Sequence, residues 1–108
     1  MAVLGEIDPL SLKERLERGD RIVVLDVREP AEVAIAPFPG AKHIPMGELP
    51  SRLSELDPDS EIAVVCHHGI RSAQVANYLA WMDFVRVFNL TGGIDAWSLT
   101  VDPEVARY

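Results

Sequence analysis

The segment Val65-Cys66-His67-His68-Gly69-Ile70-Arg71-Ser72 gathers a thiol, two imidazoles, a guanidinium and a hydroxyl into eight consecutive residues. Cys66 is the only cysteine of the 108-residue chain. An isolated thiol at a strand end serves as a small apolar core residue as readily as a nucleophile. Its surroundings decide between the two. The segment is short and polar and leads into a helical pattern, so backbone N–H groups can converge on one point near a positive helix N-terminus. A free thiol of pKa about 8.5 is only ~3% ionised at pH 7, whereas one brought down to about 6.5 is ~75% thiolate. Gly69 accepts backbone angles that other residues resist. Arg71 adds a permanent positive charge, and Ser72 a hydroxyl. The chemistry on offer is that of an activated sulfur nucleophile inside an anion-binding loop.

The neighbouring side chains carry alternative readings. His67 and His68 either attract an anionic substrate and tune the thiolate, or are solvated loop side chains whose backbone does the work. Arg71 suits the oxygens of an anion as a guanidinium fork, or pairs with a carboxylate, for which Asp26 is the candidate. Asp26 itself reads as a structural hydrogen-bond acceptor. Arg28 either lines the mouth of the pocket or is exposed. No metal is expected: adjacent Cys, His and His rarely converge on one ion, and no fourth ligand is evident. Trp81 and Trp97 read as core residues and His43 as structural.

These residues need a scaffold, and the punctuation of the chain supplies one. Asp8-Pro9 reads as a cap with proline at the first helical position, opening a helix that ends near Gly19. Residues 21–26 are β-rich and mostly continuous in apolar character, which suits a strand buried on both faces. Glu29-Pro30-Ala31-Glu32-Val33 can open a short helix, Pro37, Pro39 and Gly40 impose a loop, and Ala41–Ile44 reads as a short strand stopped by Pro45. Residues 46–53 read as a short helix and 62–65 as a second apolar strand. A helix follows from about Ser72 to Trp81, with Val75, Ala76 and Leu79 on one face. Residues 85–88 read as a further strand, Thr91-Gly92-Gly93 as a turn, and Ile94–Trp97 as the start of a last helix. Alternation of this kind predicts an α/β fold, a mostly parallel sheet with helices on both faces, over residues 1–108 as one domain. In such sheets ligands sit beyond the carboxyl ends of the strands, and Cys66 lies just there.

Composition narrows the functions. Apolar residues make up 48% and charged residues 25%, which suits a globular domain. The net charge of −7 argues against a nucleic-acid partner and gives no reason to expect an anionic membrane. The first residues have neither a basic region nor a long apolar run, so no signal peptide is expected. With a single cysteine no intrachain disulfide can form, and the cytoplasm is the expected location.

Four segments together resemble the rhodanese family. CHHGIRS at 66–72 has the form of that family's catalytic loop, which begins with Cys and often ends in Arg followed by a small hydroxyl residue. Leu25-Asp26-Val27-Arg28-Glu29, Pro39-Gly40-Ala41-Lys42-His43-Ile44-Pro45 and Gly92-Gly93-Ile94-Asp95-Ala96-Trp97 resemble its other signatures, in the family's order. Where many members have Gly-His before Ile-Pro-Gly-Ala, this chain has Ala36-Pro37-Phe38-Pro39-Gly40-Ala41.

The resemblance implies a sulfurtransferase without a cofactor. Cys66 would take the outer sulfur of a small sulfur-containing anion such as thiosulfate. The resulting persulfide would then pass that sulfur to cyanide, a thiol or a protein acceptor. His67, His68, Gly69, Ile70, Arg71, Ser72 and Arg28 would contact the substrate. The alternatives are a persulfide carrier or partner-binding module with little free turnover and, on the same fold, a phosphatase or arsenate reductase. Those last enzymes resemble this chain in using a loop Cys and Arg, but their loop is one residue longer. Four residues separate Cys66 from Arg71 here, a tighter loop that favours a single sulfur atom over a phosphoryl group.

Overall fold

The computed structural model describes residues 3–108. Five strands form one sheet, β1 (Val3–Ile7), β2 (Ile22–Asp26), β3 (Lys42–His43), β4 (Glu61–Val65) and β5 (Arg86–Leu90), in the spatial order β1-β5-β4-β2-β3. Every pairing is parallel. The helices are α1 (Pro9–Glu17), α2 (Pro30–Ile35), α3 (Leu49–Arg52), α4 (Ile70–Trp81) and α5 (Gly93–Thr100).

Alternation along the central strands divides the core in two. Leu25, Ile62, Val64 and Val87 face Val75, Ala76 and Leu79 of α4 and Leu49 of α3. Ile22, Val24, Ala63, Val65 and Leu90 face Leu12 of α1 and Ile94 and Trp97 of α5. Strands covered on both sides need apolar residues on both faces, which is why residues 22–25 of β2 and 62–65 of β4 are apolar without a break. Each fully buried aliphatic side chain here contributes about 1.5–3 kcal/mol.

Local signals set the helix starts. The Asp8 carboxylate accepts the Ser11 N–H at 2.8 Å, capping α1, and Pro9 occupies the first turn. Four features differ from the sequence expectation. β1 is an additional strand; it sits at the sheet edge with only Ile7 buried, so it lacks the apolar density of the central strands. The stretch after Pro45 is two 3-10 turns (46–48 and 53–55) around the single turn of α3 rather than one helix. The helix after Cys66 begins at Ile70, drawing Arg71 and Ser72 into its first turn. Trp81 is 82% exposed and belongs to neither core, whereas Trp97 is buried against Phe38. Among the described residues no helix is long and apolar enough to cross a membrane.

The register brings the carboxyl ends of the strands together. Asp26 lies beside Val65, Val64 beside Asn89, and Asn89 beside Glu6. The residue that follows Val65 is Cys66, and its side chain joins the core cluster on the α4 side.

Candidate active site

Cys66 leaves the end of β4 and is 1% exposed. Three donors or polar groups surround its sulfur: the Gly69 N–H at 3.1 Å, the Ser72 N–H at 3.4 Å and the Ser72 hydroxyl at 3.2 Å. Burial pushes the Cys66 thiol up. The Ser72 hydroxyl and the N–H groups of Ser72, Gly69 and His68 outweigh it, and the net effect lowers the thiol below its ordinary value. Gly69 makes this possible by taking φ +101 as the residue before α4, which turns its N–H onto the sulfur.

The loop is clamped from behind by α5. The Ile94 N–H donates to the Cys66 carbonyl at 2.8 Å and the Asp95 N–H to the His67 carbonyl at 3.1 Å. Gly93 lies so close to these carbonyls that an added Cβ would sit 2.5 Å from the Cys66 oxygen. The Gly92-Gly93 pair is thus a backbone-to-backbone contact beneath the reactive loop as well as a turn.

A second support is Asn89, which the sequence reading passed over. Its amide nitrogen donates to the Gly69 carbonyl and to Glu6 Oε2, both at 3.1 Å, so its oxygen faces Ser72, whose hydroxyl donates to it at 2.5 Å. One side chain therefore holds both residues that contact the sulfur. The signal for it was an amide alone in an apolar strand.

The remaining loop residues are placed differently. The His67 ring is half-buried and stacks between His68, at 3.9 Å, and Tyr108, at 3.8 Å. His68 and Ile70 are exposed. Arg71 does pair with a carboxylate, but with Glu32 rather than Asp26, in a two-pronged contact of 2.6 and 2.9 Å. Sequence separation of 39 residues hides that pair, although Glu32 also accepts the Glu29 N–H at 3.1 Å at the start of α2, a local signature of a helix start.

Arg28 is neither exposed nor at the pocket mouth. It is 0% exposed and its guanidinium grips Asp26, with Nη2 to Oδ2 at 2.7 Å and Nε to Oδ1 at 3.0 Å. It also donates to the Ala36 carbonyl at 2.7 Å and to the Tyr108 hydroxyl at 3.1 Å. The reason is geometric: Val27 continues the line of β2 into the core, so the next side chain turns inward onto its own strand's last carboxylate. His43 Nε2 meets the Arg28 carbonyl at 2.6 Å. Among the described residues no group of three or more His, Cys, Asp or Glu is placed to hold a metal ion.

Three comparisons bear on this arrangement. The family model described as "Rhodanese-like domain" matches residues 8–100. The chain is 39% identical over 104 residues to a protein of Allochromatium vinosum named Sulfurtransferase, covering 96% of this chain and 97% of that one. It is 32% identical over 107 residues to the Thiosulfate sulfurtransferase GlpE of Ectopseudomonas mendocina, covering 99% and 96%. Among solved structures, a rhodanese-like domain protein from Staphylococcus aureus superposes with a TM-score of 0.83 at 30% identity, over 98% of this chain and 99% of that one.

Proposed function

The chain belongs to the rhodanese-like domain family, and on that premise we propose that it transfers sulfur through a persulfide on Cys66. A sulfane donor, thiosulfate in the simplest case, presents its outer sulfur to the Cys66 thiolate. The bond to the leaving sulfite breaks as the new S–S bond forms. Cyanide or a thiol then removes the outer sulfur and restores the thiolate. This is covalent catalysis in two half-reactions. Gly69, Ser72 and the neighbouring loop N–H groups hold the negative charge on sulfur throughout, at little reorganisation cost. A chain with one cysteine needs a compartment that keeps the thiol reduced between turnovers, which the cytoplasm provides.

The observation that carries this reading is the sulfur sitting within reach of the Gly69 and Ser72 N–H groups and the Ser72 hydroxyl. It has a pH consequence. Because the thiol lies below its ordinary value, thiolate forms at lower pH than in a free cysteine, whose range centres on about 8.5. The ultraviolet thiolate absorbance of the folded protein, followed from acid to alkaline pH, is expected to rise with its midpoint below that range. In Ser72→Ala the midpoint should move up. A wild-type midpoint at or above the free-thiol value would remove the basis for the reading.

A further inference from the structure

His67 follows Cys66 directly, and its Nε2 is buried with no hydrogen-bond partner among the described residues. A ring with no tether at that nitrogen takes its orientation from what packs on its faces. One face meets His68 at 3.9 Å with a tilt of 29°, but His68 is itself exposed and free to swing away. The other face meets Tyr108 at 3.8 Å, with the two planes only 8° apart. Tyr108 is far better held. Its hydroxyl accepts from Arg28 Nη1 at 3.1 Å and donates to Glu32 Oε2 at 2.8 Å. Both partners are fixed in turn, Arg28 by Asp26, and Glu32 by Arg71 and the Glu29 N–H. The segment that carries Tyr108 is anchored as well. Val105 is buried in the core between the sheet and α5, its carbonyl accepts the Ser98 hydroxyl at 2.5 Å, and Arg107 pairs with Asp95 at 2.9 Å.

The place matters as much as the rigidity. Cys66 is 1% exposed, so a substrate reaches it only past the side chains of its own loop. The Arg71 guanidinium is raised above its ordinary value chiefly by Glu32, against burial, and it also feels the Cys66 sulfur and Tyr108, which puts the three in one neighbourhood. Tyr108, 36% exposed, therefore stands beside the approach to the sulfur. The groups that hold the sulfur are supported separately, Gly69 and Ser72 by Asn89. Resting on the persulfide reading above, we propose that Tyr108 is a positioning residue for sulfur transfer, its ring fixing the His67 imidazole as one wall of the path by which substrate reaches Cys66. Tyr108 makes no bond to the reacting sulfur and moves no proton. Without its ring the thiolate stays as it was, but the imidazole samples orientations across the path and fewer encounters present the donor sulfur in line. The cost falls on productive binding of the donor, not on ionisation of the sulfur.

The test uses Tyr108→Leu and Tyr108→Phe, with cyanide as acceptor and, as donor, thiosulfate or glutathione persulfide, whichever loads wild type faster. Leucine supplies apolar cover without a flat face; phenylalanine keeps the face and loses only the hydroxyl. In Tyr108→Leu the donor kcat/KM should fall about tenfold, the upper end of what one aromatic pair is worth. In Tyr108→Phe it should stay within about threefold of wild type, because the stack remains. The ultraviolet thiolate midpoint should match wild type in both. His67→Ala alone should lose about as much as Tyr108→Leu, and adding Tyr108→Leu to it should cost nothing further, since the residue it acts on is gone. A merely structural role would lower kcat/KM in either background. A kcat/KM unmoved by Tyr108→Leu, equal losses in the leucine and phenylalanine variants, an undiminished loss in the His67→Ala background, or a thiolate midpoint that moves with Tyr108→Leu overturns the proposal. Should intact mass show that neither donor places sulfur on Cys66 of wild type, the persulfide reading itself fails and the proposal with it.

Discussion

Replacing Asp26 with Ala is expected to lower the free energy of unfolding by about 3–5 kcal/mol, because it strands a buried guanidinium without its counter-charge. Arg28 and Asp26 are 0% and 1% exposed, so water cannot take the place of the missing carboxylate. Asp26 accepts the Arg28 backbone N–H at 3.1 Å as well as the guanidinium, so the turn after β2 loosens too. Against a typical domain stability of about 5–15 kcal/mol, the loss is a large share of the total. Urea denaturation with an unchanged slope would report it as a lower midpoint. The double variant Asp26→Leu/Arg28→Met should recover a large part of the loss, since a buried ion pair is often matched by apolar residues of similar volume. A loss below about 1 kcal/mol for the single variant would mean that the pair is more hydrated than its burial implies.

Gly93→Ala is expected to damage both stability and sulfur transfer. The residue sits at φ +62, and a left-handed angle costs a non-glycine residue about 1–2 kcal/mol. The added methyl would also press on the His67 carbonyl oxygen and the Cys66 carbonyl oxygen, which belong to the backbone and cannot swing away. Overpacking of this kind adds about 1–3 kcal/mol. Relief must come from moving the loop that carries the sulfur, and a displacement near 1 Å costs on the order of a hundredfold in rate. Gly40→Ala is the control. Its φ is +78 but an added Cβ meets nothing within 4 Å, so it should pay only the left-handed penalty and leave transfer unchanged. Equal rate losses in the two variants would contradict the account of Gly93 as a wedge beneath the loop.

Much of the fold was legible because buried parallel strands announce themselves. Residues 22–25 and 62–65 are apolar throughout, and the loop with Cys66 follows the second of them directly. β1 was not legible, since an edge strand with Gly5 and Glu6 in it needs its partner β5 to be recognised. Trp81 misled for a local reason. The buried stripe of α4 runs through Val75, Ala76 and Leu79, and a residue two positions past Leu79 points to the opposite side of the helix. Within the site, Cys66, Gly69 and Ser72 were indicated by their types and spacing. The partners of the charged residues were not. Glu32 meets Arg71 only because α2 and α4 start beyond the carboxyl ends of the neighbouring strands β2 and β4, and Tyr108 reaches His67 from 41 residues away. Arg28 read as lining the pocket mouth or exposed because arginine is rarely buried without a partner, and its partner lay two positions back in Asp26.

Intact mass of the protein reports directly whether Cys66 carries a persulfide. The protein is incubated with thiosulfate or glutathione persulfide, measured, treated with cyanide and measured again, beside Cys66→Ser handled identically. Wild type is expected to gain the mass of one sulfur atom and to lose it to cyanide as thiocyanate appears, while Cys66→Ser gains nothing. Failure of the wild type to take up sulfur from either donor, or equal uptake by Cys66→Ser, would contradict a persulfide on Cys66.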